Sequence, residues 1–216
     1  MVLINIAVDL DGVVCDFVKI FSEYANKLFG DRCYVINDIS KVKDWHWEKW
    51  YPLTTKEVNL VWDDIRKTTD FWTKLDVYNL QQWNYFVEKI NSFKHINVYF
   101  LTSRDKTNGS TVARQSADWL IKNGFKYPFV IETNQKEEFI KNLDIKFFID
   151  DKAENLISVK NYNPSCIVYA QDAPYNEEKL KVSNIEYIKT SGLKKFIDDI
   201  IEFGMKSQYN IDWKKT

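Results

Sequence analysis

The sequence predicts an α/β protein: a parallel sheet with helices on both faces, plus a small helical cap inserted after the first strand. Three observations predict it. Short, nearly continuous apolar runs recur at residues 3–8, 98–101, 129–131, 147–149 and 167–169, with a weaker one at 185–188. Such runs suit strands covered on both faces. Stripes of helical spacing lie between them, and this alternation builds a Rossmann-like parallel sheet. The third observation is a break in the rhythm: residues 16–73 carry helical patterns and no strong strand. The expected division is therefore a core of residues 1–15 and 74–216 and a cap of residues 16–73.

The first run ends at Asp9. It is short for a secretory core and no basic segment precedes it; no later stretch approaches the length of a membrane span. The inserted segment is rich in aromatics: Trp45, Trp47, Trp50, Tyr51, Trp62, Phe71 and Trp72. For most of them, packing within the cap is the simplest role. Leu80, Trp83, Val87 and Ile90 then form one helical stripe. Ala113, Ala117, Leu120 and Ile121 form another, stopped by Gly124, and Leu193, Phe196, Ile197, Ile200 and Ile201 form the last.

The 216 residues suit one α/β domain with a modest insertion. Hydrophobic residues make up 45% and charged residues 28%, as in a globular protein. Lys and Arg total 30 against 31 Asp and Glu, so no basic face for a nucleic-acid polymer is expected. The three cysteines, Cys15, Cys33 and Cys166, are odd in number and lack metal-ligand spacing. They point to a reducing, cytoplasmic setting. His46 and His95 have no second ligand at metal spacing and are read as ordinary residues.

In an open parallel sheet the ligand lies beyond the carboxyl ends of the strands. Four polar clusters occupy such ends. After the first strand comes Asp9-Leu10-Asp11-Gly12. Carboxylates two apart share one side of an extended chain, and Gly12 permits a sharp turn. One carboxylate can act as a nucleophile and the other as a proton donor; an Asx turn closing the strand is the plainer alternative. After the second strand, Thr102-Ser103-Arg104 offers hydroxyls and backbone N–H groups to phosphate oxygens, with Arg104 either adding charge or lying on the surface. After the third, Lys136 stands at a helix start, where the dipole disfavours a cation. That placement suggests a task at an anion, and Lys141 is the alternative. After the fourth, Asp150 and Asp151 are adjacent acids that repel unless a cation is present. Mg²⁺ takes such oxygen ligands. The pairs Asp63-Asp64 and Asp198-Asp199 fall in helical patterns and are read as exposed faces.

This order of motifs resembles the haloacid dehalogenase superfamily over nearly the whole chain. Within it, Asp11-Gly12-Val13-Val14-Cys15-Asp16-Phe17, Phe71-Trp72-Thr73-Lys74-Leu75 and the doubled hydroxyl Thr102-Ser103 resemble the 5'(3')-deoxyribonucleotidase family. Residues 44–47 match nothing in that family. The resemblance implies Asp9 as nucleophile and Asp11 as general acid/base. It implies Thr102, Ser103 and Lys136 as phosphate ligands, and Phe17, Phe71, Trp72 and Arg104 at the substrate. By that resemblance Mg²⁺ would be held by Asp9, the Asp11 backbone carbonyl and one acid of the pair Asp150 and Asp151, with Asp151 favoured for direct contact and Asp150 behind it. The implied substrate is a small phosphate ester, a nucleoside monophosphate, taken from solution by a cytoplasmic, non-membrane enzyme that could assemble as a homodimer. Two further readings stand beside it: a phosphatase of the same mechanism acting on a sugar phosphate, and a silent nucleotide-binding module on the same fold.

Overall fold

The computed structural model describes residues 3–39, 42, 44 and 46–212, the side chains of 207–212 excepted. Trp45, counted above among the cap aromatics, lies outside the described residues. Six strands form one sheet: β1 (Ile4–Asp9), β2 (Ile96–Thr102), β3 (Phe129–Glu132), β4 (Ile145–Asp150), β5 (Ile167–Gln171) and β6 (Ile188–Thr190). All pair in parallel, in the order β3-β2-β1-β4-β5-β6. The helices are α1 (Phe17–Phe29), α2 (Thr55–Lys67), α3 (Leu80–Ser92), α4 (Val112–Lys122), α5 (Lys136–Asn142), α6 (Ala153–Tyr162), α7 (Glu177–Val182) and α8 (Leu193–Asp212). The α/β parallel-sheet class read from the sequence is the class observed.

The inner strands β1 and β4 are buried on both faces, which explains their unbroken apolar runs, whereas the edge strand β3 is only partly covered and leaves Phe129 exposed. Ile6 and Val8 of β1 and Phe147 and Ile149 of β4 belong to one apolar cluster, with Phe100, Trp119 and Phe196. Ala7 and Phe148, one residue out of step, belong to the other, with Leu101, Leu156 and Val168. A strand alternates its side chains, so each face receives its own core. The sixth strand departs from expectation. It occupies Ile188–Thr190 rather than 185–188, because Asn184 takes a left-handed φ of 54° and the chain is still turning there.

Between β1 and α3 the described residues hold α1, α2 and 3₁₀ turns, with no strand. Asp16 caps α1 by accepting from the Lys19 amide at 3.0 Å. Thr54 and Glu57 form a reciprocal capping box on α2. The apolar residues of this segment, among them Phe21, Trp47, Val61 and Ile65, are continuous with the core cluster beneath.

Trp83 of α3 joins the helical layer to the sheet. Its ring lies 6.4 Å from Phe100, 6.1 Å from Trp119 and 6.1 Å from Phe125, and its indole donates to the Asn123 carbonyl at 2.8 Å. Trp83→Ala is expected to lower stability by about 3–5 kcal/mol, through the cavity and the lost transfer energy. A urea titration of the two proteins checks it; a change below about 1 kcal/mol would contradict this account of the core.

Candidate functional site

The strand order reverses beside β1, with β2 on one side and β4 on the other. At that switch point the strand ends splay apart and leave a crevice. A cavity of about 210 Å³ opens there, lined by Asp9, Asp11, Phe17, Trp62, Trp72, Thr102, Ser103, Arg104, Asp105, Lys136, Lys152 and Asn155. Thus Asp9 and Asp11 come from the end of β1, Thr102 and Ser103 from β2, and Lys136 from the start of α5. Residues separated by more than a hundred positions meet because every strand runs the same way.

At the floor of the cavity the Lys136 ammonium binds both Asp9 and, at 2.7 Å, Asp150. All three side chains are buried. Burial alone would lower the pKa of Lys136, but the Asp150 and Asp9 carboxylates raise it overall. The lysine therefore stays cationic. Burial pushes the Asp9 carboxyl up to about 7, opposed by Lys136 and reinforced by Asp150 and Asp11. Lys141 instead places its ammonium 4.6 Å from the Tyr162 ring and does not line the cavity. The geometry thus brings Lys136, and not Lys141, to the aspartates.

The adjacent acids have different surroundings. Asp150 is saturated with donors: Lys136, the Lys152 amide at 2.8 Å, and the Asn155 amide group at 3.0 Å from each oxygen. Asp151 accepts from the Tyr175 hydroxyl. Burial first, then Asp150 and Asp9, hold its carboxyl well above the usual range. One oxygen from each of Asp9, Asp150 and Asp151 lies within 4.8 Å of the others. Among the described residues the Lys136 ammonium binds two of these three buried acids and leaves Asp151 without a cation in contact, so the cluster is short of positive charge. Its donors are all carboxylate oxygens, the set a hard divalent cation prefers. These residues fit a metal.

Gly12 makes this proximity possible. Its φ is +82°, and a Cβ there would overlap the Asp151 carboxylate. Gly12→Ala is expected to displace Asp151 and cut turnover at this site at least roughly tenfold, since small misplacement at a reacting centre is costly. Wild-type rates in the variant would show that the close approach is dispensable.

Arg104 is not on the surface, the alternative left open by the sequence. It is 5% exposed. Its guanidinium forks onto both Asp11 oxygens at 2.8 Å, donates to Ser116 at 2.9 Å and lies 4.6 Å over the Trp72 ring. Ser116 falls on α4, so the fork ties Asp11 to the helical layer. Phe17 and Trp72 form part of the cavity wall with Trp62, the Phe17 and Trp62 rings stacked at 5.4 Å. Phe71, expected at the substrate, is not brought to the cavity. It is fully buried, edge-on to Tyr24 at 5.5 Å, and does not line the cavity. Adjacent residues in a 3₁₀ turn point in different directions, and Trp72 takes the wall position.

Trp62, Asp105, Lys152 and Asn155 line the cavity without having been singled out. Lys152 and Asn155 could have been read from their position one and four residues beyond the acid pair, where the helix after β4 opens toward the site. Trp62 carried no such signal, because its facing depends on how α2 lies over the strand ends.

A model of the family described as "5' nucleotidase, deoxy (Pyrimidine), cytosolic type C protein" matches residues 2–187. A relative from Oceanobacillus iheyensis, "Putative nucleotidase OB0422", is 28% identical over 93 residues, 41% of this chain. That match covers 46% of the relative, so the chain spans about half of its length. Among solved structures, a "predicted phosphatase from Clostridium acetobutylicum" aligns with a TM-score of 0.55 at 15% identity, covering 94% of this chain and 100% of that one. A "putative beta-phosphoglucomutase from Thermotoga maritima" aligns with a TM-score of 0.55 at 13% identity, covering 93% and 99%. At these identities the structural likeness speaks for the shared fold.

Proposed function

The chain belongs to the cytosolic type C 5'-nucleotidase family, and from that premise we propose that it is a Mg²⁺-dependent phosphatase of nucleoside monophosphates, deoxyribonucleotides foremost, working through an aspartyl-phosphate on Asp9. The observation that carries this reading is the Asp9–Lys136–Asp150 cluster at the floor of an aromatic-walled cavity.

In the first step an Asp9 oxygen attacks phosphorus, and the bond from phosphorus to the sugar oxygen breaks. Asp11 gives that oxygen its proton. In the second step Asp11 takes a proton from water, whose oxygen attacks phosphorus and frees Asp9 and inorganic phosphate. Lys136, Thr102 and Ser103 meet the charge on the remaining phosphate oxygens, which is where most of phosphoryl-transfer catalysis lies. Arg104 fixes the direction in which the Asp11 carboxyl points. Asp9, Asp151 and the Asp11 backbone carbonyl would hold Mg²⁺, with Asp150 behind them, and the ion when bound offsets the repulsion between an anionic nucleophile and a phosphate dianion. Phe17, Trp62 and Trp72 wall the space for a base; Trp62, the half-buried one, offers it a surface to stack on, an interaction tolerant of base identity, with the buried Phe17 and Trp72 rings packed against it.

None of the helices in the described residues is long and apolar enough to cross a membrane. All three cysteines are free and buried, in keeping with a reducing cytoplasm. A homodimer is part of the same reading and is checked by light scattering on the purified chain.

The test is phosphate release from 5'- and 3'-nucleoside monophosphates and sugar phosphates, with Mg²⁺ and with chelator. The expected result is release from nucleotides that falls to background in chelator. Release from sugar phosphates alone would retain the mechanism and discard the nucleotide substrate. No release from any ester would overturn the reading in favour of a binding module.

A further inference from the structure

Resting on the proposed metal centre, the geometry points to Tyr175 as a residue that positions Asp151 for the cation. Tyr175 lies in the 3₁₀ turn Pro174–Asn176 that follows β5, on the far side of β4 from Asp9. Its hydroxyl donates to Oδ2 of Asp151. The next residue, Asn176, is buried and donates to the Asp151 carbonyl at 3.1 Å and the Gln171 carbonyl at 2.7 Å. The turn after β5 therefore grips Asp151 twice, by backbone and by side chain.

The need for such a grip follows from the asymmetry of the acid pair. Asp150 is fixed by an ammonium, a backbone amide and a side-chain amide. Asp151 receives neither ammonium nor backbone amide in hydrogen-bond contact among the described residues. It is nonetheless the acid whose carboxylate closes against Gly12. With Oδ2 held by Tyr175, rotation about its Cβ–Cγ bond is stopped and Oδ1 is the oxygen left for a cation shared with Asp9. Donors that orient a metal-binding carboxylate typically change metal affinity 10- to 100-fold when removed.

Tyr175→Phe keeps the ring and deletes the hydroxyl. Tyr85→Phe is the matched control: its hydroxyl donates to Asp198 at 2.6 Å, remote from the cavity. Mn²⁺ binding is read by the paramagnetic resonance signal of the free ion, and Mg²⁺ binding by the rise in melting temperature across a titration. The expected result is a Mn²⁺ and Mg²⁺ midpoint raised about 10-fold or more in Tyr175→Phe and unmoved in Tyr85→Phe. Phosphate release by Tyr175→Phe should fall most at low Mg²⁺ and recover as Mg²⁺ saturates. An unchanged midpoint in Tyr175→Phe, with or without lower stability in chelator, would assign Tyr175 a packing role and overturn the inference. Absence of saturable Mn²⁺ binding to the wild-type chain would instead remove the metal reading on which the inference stands.

Discussion

Replacing Asp9 with Asn is expected to reduce turnover by on the order of 10⁴-fold or more, the scale of removing a covalent nucleophile. The amide matches the carboxylate in size and still offers an oxygen to Lys136, so the cavity keeps its shape. What it loses is the anionic oxygen that attacks phosphorus. Asp9 is buried, and burial is the largest influence on its carboxyl. A neutral side chain removes that desolvation cost, so the variant should be at least as stable as wild type in chelator. Steady-state phosphate release and a thermal melt check both halves. Wild-type turnover would exclude Asp9 as the nucleophile; a collapse in stability would mean that its charge holds the floor together.

Lys136→Met carries the second large effect, and here activity and stability should fall together. The ammonium bridges two buried carboxylates. Methionine fills similar volume but leaves both acids without their shared cation, and breaking one side of a buried ion pair costs about 3–5 kcal/mol. Turnover should drop roughly 10²- to 10³-fold, the usual loss when one donor to the transition-state oxygens is removed. Urea melts in chelator and steady-state kinetics at saturating Mg²⁺ measure the two separately. A variant as stable as wild type would show that Asp9 and Asp150 are not held by this lysine. One that turned over normally would remove Lys136 from the proposed phosphate site.

The two effects are linked through the same few atoms, yet their signs on stability differ. Deleting a carboxylate relieves a surplus of buried negative charge. Deleting the lysine enlarges it. Comparing the two melts therefore tests the charge balance at the cavity floor without reference to catalysis.

The strand ends were legible because chemistry and topology leave the same mark. A buried strand reads as an apolar run, and the first polar residues after it fall at the sheet edge. Asp9, Thr102 and Asp150 are each the last residue of their strand, so that rule alone placed them. Lys136 was found differently, as a cation at a helix start where the dipole disfavours one. The aromatic wall was less legible. Phe71 and Trp72 are neighbours of similar character, and nothing in their spacing tells which faces the cavity. Trp62 sits on α2, whose contribution depends on where the helix lies over the sheet.

The fold class and the set of strand-end acids were determined by the sequence itself. They depend on local patterns: apolar runs and the polar residues that end them. The tertiary structure alone decided which charges touch. Lys136 reaches Asp9 across 127 positions and Arg104 reaches Asp11 across 93, distances over which no periodicity carries information. It also decided that Asp150 is tied down by protein donors while Asp151 is held by a tyrosine from the next strand's turn. Contacts of that kind come from parallel strands delivering remote segments to one edge, and packing sets their register after the local pattern has been spent.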